Sequence, residues 1–176
     1  MQAVIMAAGE SSRFWPLNHH HKTLTKIAGQ AIIAWTVQEL KAVGIKDIII
    51  VQGPGRDVEK ELADASLKYA VQKEPTGTGD ALLRSEKFIK DSQFFLLNAE
   101  QQGVKEHAAL MMTEAKRRKV EFVAASSETK TPWLFGIFKI KDGRVLDVVE
   151  KPKKGEERAA SKMSAFISCP GSFSLF

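Results

Sequence analysis

Cysteine is almost absent. Cys169 is the single thiol among 176 residues, so no disulfide can form within the chain. A lone thiol suits a reducing compartment. Long apolar runs are missing as well. The stretch from Ala3 to Ala8 is far shorter than the roughly 20 residues that span a bilayer. It also lacks the basic flank and cleavage pattern of a signal peptide. These absences predict a cytoplasmic protein with no membrane partner. There is no internal repeat and no low-complexity segment.

What is present is an ordinary globular composition, 44% hydrophobic and 27% charged. A chain of this length fits a single domain, residues 1–176, with enough core to fold without staples. The 26 basic and 21 acidic residues leave a net charge of +5, which favours anionic partners. Only Lys116 to Lys119 is a true basic cluster, and it falls at the end of an expected helix, where cations meet the negative end of the dipole. The charge is otherwise spread out. Nucleic acid is therefore ranked below nucleotides and sugar phosphates as a partner.

Strand and helix patterns alternate. Gln2 to Ala7 reads as a short buried strand, and Ala31 to Val43 as an amphipathic helix closed by Gly44. Asp47 to Val51 is a β-branched buried strand. After Gly53-Pro54-Gly55 come a short helix (56–65), a strand (68–72), a helix (79–89) and a strand (94–97). A helix (104–119) and a strand (120–125) follow. Trp133 to Ile140 and Arg144 to Val149 read as a hairpin about Asp142-Gly143. This order predicts an α/β fold, a Rossmann-like three-layer α/β/α sandwich with a mostly parallel sheet. Ligands in such sheets bind beyond the carboxyl ends of the strands. The loops after Ala7, Gln72 and Leu97 are thus the first places to look.

The first of these loops carries Ala7-Ala8-Gly9, small residues that let a backbone approach a ligand, with Gly9 free to take a positive φ. Ser11 and Ser12 offer hydroxyls, and Arg13 offers a fork of donors suited to phosphate. Lys22 adds a second charge. The loop is neither a dinucleotide fingerprint nor a Walker A loop, because the required glycines and the Gly-Lys-Ser/Thr are missing. His19-His20-His21 invites a metal, but adjacent loop histidines converge poorly on one ion, and a solvated loop is the better reading. In the second loop, Gln72 can present both a donor and an acceptor to a base edge. Gly77 and Gly79 flank Thr78 at a helix start, where free N–H groups can receive ligand oxygens. A plain N-cap by Thr76 or Thr78 is the structural alternative.

Ala7-Ala8-Gly9-x-Ser11-Ser12-Arg13-x-x-Pro16-Leu17, followed by Lys22-x-Leu24 and Ile27-x-Gly29, resembles the signature of the sugar-nucleotidyltransferases, the nucleoside-diphosphate-sugar pyrophosphorylases. Gln72 with Gly77-Thr78-x-x-Ala81 resembles the base-recognition element of that family. The resemblance implies that Arg13 and Lys22 contact the triphosphate and stabilise departing pyrophosphate, as charge-stabilised phosphoryl-type transfer requires. It implies nucleotide contacts from Ala7, Ala8, Gly9, Ser11, Ser12, Gln72, Gly77 and Thr78, with UTP or dTTP favoured. Glu100 stands where the family holds Mg²⁺ through an aspartate. Gly136, Glu150 and Lys151 match the strand and Glu-Lys-Pro element that meet the sugar phosphate.

Four departures stand out. Ser11 replaces a glycine, and a left-handed backbone there would cost about 1–2 kcal/mol. His21 replaces a proline and is expected to loosen the loop that holds Lys22. Ala99-Glu100 replaces Gly-Asp. Beyond Pro152 the match fades, leaving a C-terminal part incomplete relative to the family and an edge for a second copy or partner chain to cover. The resulting expectation is a Mg²⁺-assisted enzyme that joins a nucleoside triphosphate to a sugar 1-phosphate. The alternative is a nucleotide-binding or regulatory subunit of the same fold that has lost turnover.

Overall fold

The structure is a computed structural model that describes residues 1–11, 16, 20–118, 120 and 122–153, together with the backbone of 161–168. Strand β1 (Gln2–Ala7) runs into the first loop. A tight hairpin of β2 (Lys26–Ile27) and β3 (Gln30–Ala31) leads directly to α1 (Ile32–Ala42). Then come β4 (Asp47–Gln52), α2 (Asp57–Leu62), β5 (Lys68–Val71) and α3 (Thr78–Ser85). The chain continues through β6 (Phe94–Asn98), α4 (Val104–Arg118) and β7 (Phe122–Glu128). It closes with β8 (Gly136–Lys141), β9 (Arg144–Glu150) and β10 (Ser161–Ser168).

The main sheet has the order β5-β4-β1-β6-β10-β8-β9, with β7 also paired to β10. Its first four strands are parallel, and β1 lies between β4 and β6. Such strands are covered on both faces, which explains their unbroken apolar sequences. Alternation then sorts each side chain to a face. Ala3, Ile5, Ile48, Ile50, Phe95 and Leu97 pack with Ile33, Val37 and Leu40 of α1 and Val104, Ala108 and Met111 of α4. Val4, Ile49, Val51, Phe94 and Leu96 pack on the opposite face with Ala81 of α3. Two separate cores, one per face, make the three-layer α/β/α architecture. Each fully buried Ile or Phe contributes about 1.5–3 kcal/mol of transfer energy.

The structure corrects several local expectations. The sheet changes character past β6, because β10 pairs antiparallel with β6, β7 and β8. Residues 161–168 are therefore an interior strand and not an open C-terminal edge: β7 pairs along one side of it, β6 and β8 share the other, and β7 and β9 are the edge strands of this half, with Leu146 of β9 65% exposed. The strand expected from Trp133 begins only at Gly136, since Pro132–Leu134 forms a 3₁₀ turn. The β2–β3 hairpin carries no recognisable turn dipeptide. Ala28 and Gly29 both take positive φ, 51° and 81°, where Asn-Gly would be the usual pair. Asp142 and Gly143 make the β8–β9 turn as expected, with φ of 52° and 71°. The Arg117 and Arg118 side chains pair with Glu114 on the same helix, in keeping with a solvated terminus. Among the described residues, no helix is long and apolar enough to cross a membrane.

Candidate active site

The carboxyl ends of β1, β4 and β5 open onto a cleft of about 360 Å³. This lies within the range of small-molecule sites, roughly 300–1,000 Å³. Ala7, Ala8, Gly9 and Ser11 line one wall, Gln72 and Lys73 another, and Gln52 to Val58 a third. That third wall was not singled out from the sequence. Its signal was available: Gly53-Pro54-Gly55 follows a parallel strand, the position where such sheets place ligand loops. Gln52 fixes this wall, donating from Nε2 to Glu59 at 2.9 Å and accepting the Glu59 N–H at 3.1 Å.

The first loop differs in detail from its expectation. Gly9 is not among the positive-φ residues; Ser11 is, at φ 55°. A Cβ placed on Gly9 would meet nothing within 4 Å, so its lack of a side chain leaves room in the cleft without being required by packing. The left-handed position is thus occupied by a non-glycine residue. Its hydroxyl gives something back: Ser11 Oγ accepts the backbone N–H of Lys22 at 2.9 Å. Ser12 and Arg13 lie outside the described residues.

His21 does not loosen the second half of the loop. Its φ of −57° and ψ of 136° are values that proline also adopts. Its Nδ1 pairs with the hydroxyl of the fully buried Thr23 at 2.7 Å. A ring constraint is replaced by a hydrogen-bonded one. Burial first, and then the charge of Lys22, lower the pKa of this imidazole, so the ring is neutral near pH 7. His20 is exposed, and the described residues hold no group of three or more potential metal-binding side chains.

The third loop joins the first through charge. The Lys22 ammonium forms an ion pair with Glu100 Oε1. Both side chains are about one-third exposed, at 34% and 39%. The peptide between β6 and Glu100 is held firmly: Ala99 is fully buried, its N–H donates to the Met6 carbonyl, and its carbonyl accepts the Thr36 hydroxyl at 2.9 Å. Glu100 is a hard oxygen donor with one carboxylate oxygen outside the ion pair. That fits the mode in which Mg²⁺ takes one or two carboxylates and completes its shell with substrate phosphates and water.

In the second loop, Gln72 follows β5 directly and extends the ladder through its N–H to Gln52. Its Nε2 donates to the Gly77 carbonyl at 3.0 Å and to Asp80 at 2.9 Å. Gly77 itself is the N-cap of α3 at φ 113°, without a side-chain cap, so neither Thr76 nor Thr78 plays that part. Gly77 and Thr78, like Lys22 and Glu100, are not among the residues that line the cleft, and the remaining predicted residues sit elsewhere. Gly136 and Glu150 are partners across the β8–β9 ladder, and a Cβ on Gly136 would come within 2.8 Å of Glu150 Oε2. Lys151 follows at φ 46°, anchored by its N–H to the Phe135 carbonyl. These three cluster with one another, but they do not line the cleft at β1, β4 and β5.

Comparison with known proteins decides the family. The nucleotidyl transferase family profile matches residues 2–171. The chain belongs to that family. Among curated relatives, the chain is similar to the bifunctional protein GlmU of Syntrophomonas wolfei, 27% identical over 174 residues, 96% of this chain and 38% of that protein. GlmU of Clostridioides difficile is 27% identical over 172 residues, 96% of this chain and 37% of that protein. The chain thus spans well under half the length of these relatives. Two solved structures share the fold. One, from Bacillus anthracis, is assigned as a glucose-1-phosphate thymidylyltransferase (TM-score 0.81, 22% identity, 96% of this chain and 71% of that one). The other is a UDP-glucose pyrophosphorylase in complex with UDP-glucose (TM-score 0.76, 19% identity, 96% and 76%).

Proposed function

We propose that the cleft binds a nucleoside triphosphate, with UTP or dTTP favoured, and that the protein transfers the nucleotidyl group to a sugar 1-phosphate. The observation that carries this reading is the fixing of Lys22 next to Ser11 and His21, which line the cleft. Ser11 holds its backbone, and the His21–Thr23 pair shapes the turn.

An oxygen of the sugar 1-phosphate attacks the α-phosphorus. The bond from that phosphorus to the β-phosphate oxygen breaks, and pyrophosphate leaves with the electron pair. No covalent intermediate on the protein is needed. Lys22, with Arg13, neutralises charge on the departing pyrophosphate, which is the main task in phosphoryl-type transfer. Ala7, Ala8, Gly9, Ser11, Ser12, Gly77 and Thr78 bring backbone and hydroxyl groups to the nucleotide, and Gln72 meets the base. Gly136, Glu150 and Lys151 receive the sugar phosphate. Mg²⁺ at Glu100 would supply further neutralisation of the phosphates when bound. On this reading the protein acts in the cytoplasm on soluble substrates.

A second reading, nucleotide binding without turnover, is favoured by the Lys22–Glu100 ion pair, in which the two groups satisfy each other. The two readings separate in one assay. A panel of nucleoside triphosphates and sugar 1-phosphates with Mg²⁺ is scored for pyrophosphate release. Turnover that disappears in Lys22→Ala supports transfer; nucleotide binding without release supports the regulatory reading.

A further inference from the structure

The orientation of the Gln72 carboxamide is determined by its neighbours. A primary amide presents two donors on nitrogen and an acceptor on oxygen, and turning it by half a rotation exchanges them. Gln72 is 4% exposed and lines the cleft. Its Nε2 faces two groups, the Gly77 carbonyl at 3.0 Å and the Asp80 carboxylate at 2.9 Å. Both are acceptors only. The flipped amide would set Oε1 against a carbonyl and a carboxylate together, two repulsive contacts in place of two hydrogen bonds. Among the described residues nothing donates to Oε1, so the acceptor is what the carboxamide has left for the cleft.

Asp80 is well placed to enforce this. It lies in the first turn of α3, where a carboxylate is favoured by the helix dipole. It also pairs with Arg84 one turn along. The hydrogen bond from Gln72, then that from Arg84, holds its carboxyl down to about 2, so it stays an acceptor throughout the working range. Lys73 and Glu74, the charged neighbours of Gln72 in sequence, are exposed.

We propose that Asp80 is a positioning residue for base selection: by holding the Gln72 nitrogen, it leaves the Gln72 oxygen to the cleft and makes the site favour a pyrimidine with an N3–H donor over one with an unprotonated N3. Uracil and thymine carry that hydrogen, and cytosine presents a lone pair there. The proposal rests on the reading of the cleft as a nucleotide site and adds to it the group that makes the discrimination. A site in which a buried acceptor meets an acceptor loses a hydrogen bond and gains an unpaired group, enough for at least about tenfold discrimination.

The test is binding of UTP and CTP by calorimetry to the wild type, Asp80→Ala, Asp80→Asn and Arg84→Ala, each checked by thermal melting. The wild type prefers UTP by at least about tenfold, and Asp80→Ala narrows the ratio to about threefold or less because only the Gly77 carbonyl still orients the amide. Asp80→Asn, which keeps a carbonyl acceptor, retains most of the preference, and so does Arg84→Ala. Equal losses for both nucleotides in Asp80→Ala, or an unchanged ratio, overturn the assignment of Asp80 while leaving the nucleotide site standing. Failure of the wild type to bind either nucleotide removes the site reading itself, and the assignment with it. A nucleotide-free readout runs alongside: the Gln72 side-chain amide proton resonances shift and exchange faster in Asp80→Ala, and identical resonances in the two proteins count against the proposal.

Discussion

Ser11 and Lys22 are joined across the first loop, the Ser11 hydroxyl accepting the Lys22 backbone N–H at 2.9 Å while Ser11 itself sits at φ 55°. Two opposing effects meet at one residue. The left-handed backbone costs about 1–2 kcal/mol, and the hydrogen bond returns about 0.5–1.5 kcal/mol. Ser11→Gly gives up both and should stay within about 0.5–1 kcal/mol of the wild type in urea denaturation. Ser11→Ala keeps the strain and also loses the bond, so it is the less stable of the two by the strain alone, about 1–2 kcal/mol. A stability order with alanine above glycine would contradict this account.

Lys22 and Glu100 predict paired effects on turnover. Removing one preorganised charge from a transferring phosphate costs about 10²–10³ in rate. Lys22→Ala should lower the rate of pyrophosphate release on that scale while leaving the melting temperature nearly unchanged, because its ion pair is partly exposed and contributes little stability. Chelation of Mg²⁺ should have a comparable effect on the wild type. Stopped assays with and without chelator, run beside the melting curves, separate chemistry from folding.

Thr36 connects the helix layer to the third loop through its hydrogen bond to the Ala99 carbonyl. Thr36→Val keeps the shape and removes the donor. With both groups buried, the expected loss is about 1–3 kcal/mol. The same substitution releases the peptide preceding Glu100, so activity should fall further than the stability change alone explains. Chemical denaturation and initial rates on the same preparation measure the two effects.

Asp64 gives a pH signature. Hydrogen bonds from Lys41 first, and then from Ser66, hold its carboxyl at about 2 against an ordinary 3.8. A depressed folded-state value means that the contribution is present above about pH 4 and is lost as pH falls toward 2. Asp64→Asn should remove this part of the acid sensitivity. Denaturation midpoints compared between pH 5 and pH 2 would converge for the two proteins at the acid end.

Gly136 tests the sugar side. An added Cβ would come within 2.8 Å of Glu150 Oε2, the far end of a flexible, exposed side chain. Gly136→Ala should therefore change stability by no more than about 0.5 kcal/mol. It displaces the carboxylate proposed to meet the sugar, so KM for the sugar 1-phosphate rises severalfold while nucleotide affinity stays the same. Steady-state kinetics with each substrate varied in turn checks this.

The parallel half of the sheet was legible because β1, β4 and β6 are buried on both faces and write that burial as unbroken apolar runs. The short hairpin at Ala28-Gly29 was not legible, since two-residue strands have no period and alanine is an uncommon turn residue. Strand β10 was not legible, because its pairing with β6 and β7 is a backbone relationship that only tertiary context supplies. At the site, Ser11, Lys22 and Gln72 were marked by residue type and position, and Glu100 by the family resemblance alone. What spacing could not reveal was who holds whom: that Ser11 holds Lys22, that Lys22 holds Glu100, and that Asp80 holds Gln72 are facts of three-dimensional approach.

Strand β10 also has a temporal consequence. The four parallel strands draw only on residues up to Asn98, yet the outer side of β6 is matched by Ala165 to Ser168. Until those late residues arrive, β6 exposes a row of unpaired backbone donors and acceptors next to a finished hydrophobic layer, a template for pairing with any passing chain. The vulnerable moment in the life of this protein thus falls during synthesis, in the interval between completing half a sheet and sealing it.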